Sequence, residues 1–395
     1  MAVDDPNSPM LFIAGTRPEA VKLAPLLIDL QARAAPAVLV ATGQHRELFA
    51  AALAGFGLAA DHDLGVMAAT PDATIGRLLP VLADLIRTLQ PARVVVQGDT
   101  SSTLAGALAA RYAGVPLAHV EAGLRSGSHD PHPEELHRKL VAQMADLHFA
   151  PTPAAAAALA AEGVAHGVHI TGNSGIDALL LMQARLAGNP ALARAATAPL
   201  AGIRRDRPWL LATIHRRENQ GAVLTGMLAA LAELTDAAEI IVPVHPSPAV
   251  AGPVLAALAG LAHVHLLPPL PYAGFVALML QCRLVLTDSG GVQEEAPAIG
   301  LPCLVLRDCT ERREGLDSGN AWLVGRDPAA IVAAARAVLH DGKRRAAMAE
   351  PALPYGSGGA ARAINDLLLG TARSQAAASS PQSLESSWRS AAHRR

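Results

Sequence analysis

Short apolar runs, each closed by glycine, proline or polar residues and each followed by a helix-like pattern, recur along the whole chain. That alternation constrains the fold more than any other feature of the sequence. Met10–Ala14, Ala37–Ala41, 93–96, 116–120, 146–150 and 168–171 read as strands in the first half. Trp209–Thr213, 239–244, 263–266, 283–287, 302–306 and 321–324 do so in the second. Runs this short and this apolar suit strands buried on both faces. Helices between them imply parallel pairing through right-handed crossovers. The chain is therefore read as α/β, and its 395 residues suggest two domains. Gly188-Asn189-Pro190 opens an Ala-, Pro- and Arg-rich stretch of weak periodicity that ends at Arg207-Pro208. It places a boundary between an N-terminal Rossmann-like domain, 1–188, and a C-terminal one, 189–358. A closing helix at 359–370 is expected to rejoin the first domain, and 371–395 reads as a disordered tail.

Composition narrows the function. A net charge of -2 and a pI near 6.7 argue against a nucleic-acid-coating surface, so any anion site must be a local cluster. No apolar run is both long and uncharged enough to span a membrane, and residues 1–9 lack the pattern of a secretory signal. Cys282, Cys303 and Cys309 show no metal-ligand spacing and fit free core or near-core thiols in a reducing cytoplasm. Aromatic residues make up only 3% and alanine is abundant, so closely packed helices are expected.

Ligands of open α/β sheets bind beyond the carboxyl ends of the strands. Run 116–120 ends in Glu121 and continues through Ala122-Gly123-Leu124-Arg125 to Pro133-Glu134-Glu135-Leu136-His137-Arg138, a helix start with Pro133 at its first position. A carboxylate straight after an apolar strand is costly to bury unless something charged or hydrogen-bonding meets it, which singles out Glu121. Glu134 and Glu135 also suit a helix dipole, with Glu134 pairing to Arg138 one turn on. Asp99, in Gln97-Gly98-Asp99-Thr100, is either a helix cap or the partner of Glu121 in a carboxylate pair. Gly15-Thr16-Arg17-Pro18-Glu19 follows the first strand, with Lys22 on the helix beyond. Strand, glycine turn, helix start and two cations form an anion-binding arrangement. Gly55-Phe56-Gly57-Leu58-Ala59-Ala60 matches a loose dinucleotide fingerprint, but it follows a helical pattern rather than a strand and is rejected.

The second half is richest at Asp288-Ser289-Gly290-Gly291-Val292-Gln293-Glu294-Glu295. Ser289 suits a helix cap, the glycines let a ligand approach the backbone, and exposed N–H groups suit a diphosphate. A glutamate one turn in suits ribose hydroxyls. His215-Arg216-Arg217-Glu218-Asn219, His245-Pro246-Ser247-Pro248 and the charged run 307–314 close the strands before them. Two similar domains are expected to face one another across a cleft, one wall offering carboxylates and Arg17, the other a nucleotide platform.

These segments, in this order and over 10–369, resemble the non-hydrolysing UDP-N-acetylglucosamine 2-epimerases of bacteria. The resemblance implies a fold of the glycosyltransferase B type and reversible interconversion of UDP-GlcNAc and UDP-ManNAc. It implies a homodimer and no NAD, metal or other cofactor. Carried over by motif, Asp99, Glu121, Glu134 and His215 are the candidate catalytic group. Arg17, Lys22, Phe275, Ser289, Gly290, Gly291, Glu295 and Arg312 are the implied UDP contacts. Gln44, Arg46, Arg216 and His245 fall in segments that hold an activating second UDP-GlcNAc in bacterial members. The sequence departs from the family pattern at His137, Ile214, Arg313 and Pro246-Ser247, and the loop 125–133 is about one residue shorter. The departures gather in the sugar and activator regions.

The implied chemistry has a physical basis. The C2 proton of an N-acetylhexosamine is not acidic, but it becomes easier to remove as the anomeric C–O bond to UDP breaks. Elimination to 2-acetamidoglucal and re-addition of UDP needs an acid or base on each face of C2, which carboxylates from different loops supply. His215, ahead of two arginines, suits the departing diphosphate. The rivals are a hydrolysing 2-epimerase, a UDP-sugar glycosyltransferase of the same architecture, and a nucleotide-sugar-binding regulator. His129, His132 and His137 match no metal motif.

Overall fold

The computed structural model describes residues 8–44, 46–129 and 131–378, with side chains as far as Gly370. The chain divides into two compact units, one taking the chain through Ser174 and again from Gly358, the other Gly175–Ser357. In the first unit the strands are β1 (Met10–Ala14), β2 (Ala37–Ala41), β3 (His62–Asp63), β4 (Arg93–Gln97), β5 (Leu117–Val120), β6 (Leu147–Ala150) and β7 (Val168–Ile170). They form one parallel sheet in the order β3-β2-β1-β4-β5-β6-β7. The second unit has β8 (Trp209–Thr213), β9 (Glu239–Pro243), β10 (Val264–Leu267), β11 (Leu284–Thr287), β12 (Cys303–Val305) and β13 (Ala321–Leu323). Their order is β10-β9-β8-β11-β12-β13, again all parallel. Each sheet thus reverses its winding once, between β1 and β4 and between β8 and β11, and these are the topological switch points where such sheets bind ligands. Together they make two Rossmann-like domains of the glycosyltransferase B type.

The cores show why an aromatic-poor, alanine-rich chain folds this way. Leu11, Ile13, Val94, Val96 and Leu117 of the first sheet pack with Leu78, Leu82 and Ile86 of the helix Pro71–Leu89. Each such side chain contributes about 2 kcal/mol when fully buried. The helix Ser101–Tyr112 lies closer still, with Ala105, Ala107, Ala109 and Ala110 fully buried. A Cβ on its Gly106 would sit 3.1 Å from Val96 and 3.2 Å from Ile13, tighter than ordinary packing. The second core joins Leu210, Ala212, Ile240, Leu284, Leu286 and Leu304 to Leu224, Leu228, Leu231 and Ile331.

Several expectations change. The boundary lies at Ser174, not at 188, and the helix Ser174–Gly188 belongs to the second unit. Its Ile176, Ala178, Leu179 and Met182 are buried. The Gly188-Asn189-Pro190 signal marks a junction between helices: the Asn189 side chain accepts from the Leu192 N–H at 3.0 Å and caps the helix Pro190–Thr197, with Pro190 at its first position. β3 was not foreseen, since two residues, one a charged aspartate, carry no period. The closing helix runs Ala360–Ala378, eight residues into the segment read as a tail, because alanine and arginine favour helix even where nothing apolar is to be buried. Residues 379–395 lie outside the described residues. Gly55 closes the helix Arg46–Gly55 with no strand before it, in keeping with the rejected fingerprint. No described helix is long and apolar enough to cross a membrane.

Candidate active site

At the first switch point the turn after β1 is drawn tight. A Cβ on Gly15 would lie 2.2 Å from Thr42 Oγ1 and 2.3 Å from Ser102 Oγ, so only glycine fits. Glu19, 1% exposed on the helix Arg17–Ala32, accepts from the N–H groups of Gly15 (3.0 Å) and Thr16 (2.7 Å). It also accepts from the hydroxyls of Thr100 (2.8 Å) and Thr103 (3.2 Å), which ties the β1 turn to the β4 turn. Burial raises the Glu19 carboxyl above its ordinary range, and these bonds oppose the rise.

Lys22, buried on the same helix, pairs with Glu121, and Gln97 Nε2 also donates to that carboxylate. Glu121 has φ +66°, a left-handed backbone that costs a non-glycine residue about 1–2 kcal/mol. The carboxylate foreseen from its place after an apolar strand is thus met by both a cation and an amide. A Cβ on Gly98 would sit 3.6 Å from Glu121 Oε2, so Glu121 lies alongside the residue that precedes Asp99.

Asp99 is not the helix cap. Thr100 takes that role, its hydroxyl accepting from the Thr103 N–H at 3.2 Å. The Asp99 carboxylate receives Arg138 Nε at 2.7 Å and Nη2 at 2.6 Å. Arg138 Nη1 donates to the buried Glu135 at 2.9 Å, so Arg138 pairs with Asp99 and Glu135 instead of Glu134. The helix Glu134–Met144 starts at Glu134 itself, with Pro133 in the cap position and Glu134 half-buried. Arg125 turns to Glu162, at 2.8 and 2.6 Å, and its hydrogen bonds hold the Glu162 carboxyl below its usual range. Arg17 is half-buried at the start of its helix. Gln44 Oε1 accepts from Ser102 Oγ at 3.4 Å, and Arg46 is exposed on Asp63 at 2.6 Å.

At the second switch point one acid organises the loop opposite. Asp288, 0% exposed after β11, accepts from the His215 N–H (3.0 and 3.1 Å), the Arg216 N–H (2.9 Å) and Asn219 Nδ2 (2.9 Å). It therefore sets the course of the chain beyond β8. The His215 ring, its Nδ1 3.3 Å from Asp288 Oδ1, stacks on His245 with centroids 5.5 Å apart. Arg216 Nε donates to the Asp288 carbonyl at 3.1 Å. Burial lowers the Arg216 pKa, Glu311 opposes that, and Arg307 and Arg312 reinforce it.

Ser289 stands at the cap position of the helix Gly290–Ala298, but its side chain makes no capping bond, contrary to expectation; its own N–H donates to Thr287 Oγ1 at 2.9 Å. Arg312 lies across Gly290, where a Cβ would fall 2.6 Å from Arg312 Cζ, while one on Gly291 would meet nothing within 4 Å. Arg312 is held by Glu294 at 2.8 Å and by Glu311. Glu295 accepts from the Tyr272 hydroxyl at 2.7 Å, and Tyr272 and Phe275 are buried on the helix Tyr272–Met279. Of the three thiols, Cys303 is buried, Cys282 half-buried and Cys309 exposed on the charged loop, outside the expected core setting.

The structure thus gathers Asp99, Glu121 and Lys22 in one unit with Arg138 and Glu135, read earlier only as parts of a helix start, and with Glu19 and Gln97, to which the sequence assigned no role. In the other it gathers His215, Arg216, His245, Gly290 and Arg312 with the unforeseen Asp288, Glu294 and Glu311. Asp288 carried the same signal as Glu121, an acid straight after an apolar strand, and could have been found by it. The first cluster can exchange protons; the second, a glycine-rich helix start ringed by arginines, suits an anion.

A family model described as UDP-N-acetylglucosamine 2-epimerase matches residues 29–369. A probable UDP-N-acetylglucosamine 2-epimerase of Ralstonia solanacearum is 42% identical over 363 residues, 90% of this chain and 97% of that protein. The UDP-N-acetylglucosamine 2-epimerase of Escherichia coli K12 is 40% identical over 367 residues, 91% of this chain and 98% of its own. The crystal structure of UDP-GlcNAc 2-epimerase from Neisseria meningitidis bound to UDP-GlcNAc superposes with a TM-score of 0.87 at 35% identity, covering 91% of this chain and 99% of that one.

Proposed function

We propose, from the premise that this chain belongs to the UDP-N-acetylglucosamine 2-epimerase family, that it interconverts UDP-GlcNAc and UDP-ManNAc without net hydrolysis. The observation that carries the reading is the pair Asp99 and Glu121, which follow the neighbouring strands β4 and β5 next to a switch point and are each met by a cation from another element. In the elimination, the C1–O bond to UDP breaks and a carboxylate takes the C2 proton, leaving 2-acetamidoglucal with a C1–C2 double bond. A carboxylic acid then returns a proton to the opposite face of C2, and the UDP oxygen re-forms the bond to C1. Asp99, Glu121 and Glu134 supply the acid and base roles, and His215 stabilises the leaving diphosphate.

UDP is assigned to the second unit: its diphosphate to the start of the helix Gly290–Ala298 and Arg312, its uridine to Ser289, Glu295 and Phe275. Arg17 is assigned to UDP on the family resemblance alone. Lys22 serves Glu121 in this reading, since its charge is already paired there. Gln44, Arg46, Arg216 and His245 are assigned to a second, activating UDP-GlcNAc. The enzyme is proposed to act as a cytoplasmic homodimer. Exposed Val81, Tyr112, Leu136 and Leu140, on three neighbouring helices, fit a subunit interface, and light scattering of the purified protein would give twice the chain mass.

Proton NMR of the protein with UDP-GlcNAc in D2O tests the reading. UDP-ManNAc carrying deuterium at C2, with little free UDP, is the expected product. Accumulating free ManNAc and UDP would replace it with the hydrolysing reaction, and an unchanged sugar despite binding would sink it for this substrate.

A further inference from the structure

Two histidines outside the groups treated so far converge on the backbone at Asp99. His119 Nε2 lies 2.8 Å from the Gly98 carbonyl, and His137 Nδ1 lies 2.8 Å from the Asp99 carbonyl. The two carbonyls are consecutive. A carbonyl only accepts, so His119 must carry a proton on Nε2 and His137 one on Nδ1. The rings come from different elements, β5 and the helix Glu134–Met144, and are 0% and 3% exposed. Burial also pushes His119 down to about 4, so near neutral pH it is an uncharged donor. The same helix sends Arg138 to the Asp99 carboxylate, so His137 and Arg138 hold one residue by its main chain and its side chain at once. Gly98, at φ +72°, has no side chain of its own to fix this turn.

We propose that His119 and His137 are positioning residues that clamp the Gly98-Asp99 peptide and thereby aim the Asp99 carboxylate at the reacting carbon. This rests on the reading of Asp99 as a reacting group. Neither ring touches substrate; each acts through the peptide it holds. A reacting group misplaced by about 1 Å can lose on the order of 100-fold in rate, so a weak-looking pair of main-chain bonds carries a large kinetic effect.

The test compares His137→Leu, which removes the donor, with His137→Asn, whose amide can still donate to the carbonyl. The expected result is a fall in kcat, and in C2 deuterium exchange, on the order of 10- to 100-fold for the leucine variant. KM and UDP affinity should stay within about twofold, and the asparagine variant should recover most of the rate. A leucine variant with undiminished kcat overturns the clamp. So does an equal loss in the asparagine variant, or a parallel loss of UDP affinity, which would mark general loosening. Should His137→Leu not fold, nitrogen NMR of the wild-type rings decides. A neutral His119 with its proton on Nε2 and a protected His137 Nδ1–H are expected, and the opposite protonation sites overturn the proposal. A wild type that binds UDP-GlcNAc without exchanging C2 deuterium fails the epimerase reading instead, and the ring protons still decide the clamp.

Discussion

Asp99 and Asp288 leave equivalent strands: β4 stands beside the first strand of its unit, and β11 beside the first strand of the other. Asp99 keeps 24% of its side chain exposed and is gripped by a guanidinium from a distant helix. Asp288 has none exposed, and its carboxylate receives two main-chain N–H groups and an asparagine amide. A carboxylate whose bonds go to its own backbone scaffold is committed to architecture. One facing a side chain, with a solvent-reachable edge, is available to a substrate. Both acids follow a strand next to the first of their unit; Asp288 is used to build a loop, and Asp99 is the one proposed for proton transfer.

The sharpest way to break this comparison is to neutralise each acid. Asp99→Asn should keep the fold and cost about 10²–10⁴-fold in kcat, read from steady-state kinetics beside a melting curve. Asp288→Ala should instead lose about 3 kcal/mol of stability in the second unit, because it leaves three buried or half-buried donors without their acceptor. Urea unfolding showing the second unit unaffected would erase the distinction.

A pH series separates the units from another side. His119 titrates near 4 when folded, against 6.5 for the free side chain. Below pH 6.5 the unfolded chain therefore takes up a proton that the folded chain refuses until about 4. Stability in the first unit should fall across that window, by up to about 3 kcal/mol, and be insensitive to this group above it. His148, depressed mainly by burial, pulls the same way. Hydrogen exchange of β5 amides at pH 7 and pH 5 would show it. The smallest expected effect is Gly291→Ala. Nothing lies within 4 Å of the added methyl, so folding should be unchanged or slightly improved, while UDP binding weakens about tenfold if the helix start holds the diphosphate. Calorimetric titration with UDP reads it, and an unchanged affinity would move the diphosphate elsewhere.

The legible parts of this molecule were those whose physics is local. β1, β4, β8 and β11 are apolar runs five residues or fewer in length, and their period and punctuation suffice. Glu121 was legible because burying an acid after such a run demands a partner. Which partner was not legible: Lys22 lies 99 positions away and was assigned to UDP on the resemblance, and only the switch point brings the two together. The choice of Arg138 between Glu134, Glu135 and Asp99 likewise depends on how the helix Glu134–Met144 is rotated against β4. The boundary was misread for a related reason. Glycine, asparagine and proline announce that a helix stops, and nothing in them says whether a domain stops too.

The helix Ala360–Ala378 gives the chain a particular order of assembly. It packs on the helix Arg17–Ala32, where Asn365 reaches the Leu26 carbonyl at 2.9 Å and Asp29 at 2.8 Å, and buries Ile364 and Leu368. The first unit is thus built from segments on both sides of the second, which is inserted between Ser174 and Gly358. On a ribosome, the second unit's segment is fully made before the first unit's last helix emerges. A chain lacking residues 360–368 would leave the helix Arg17–Ala32, which carries Lys22, without the Asn365 bond that reaches Leu26 from 339 positions downstream.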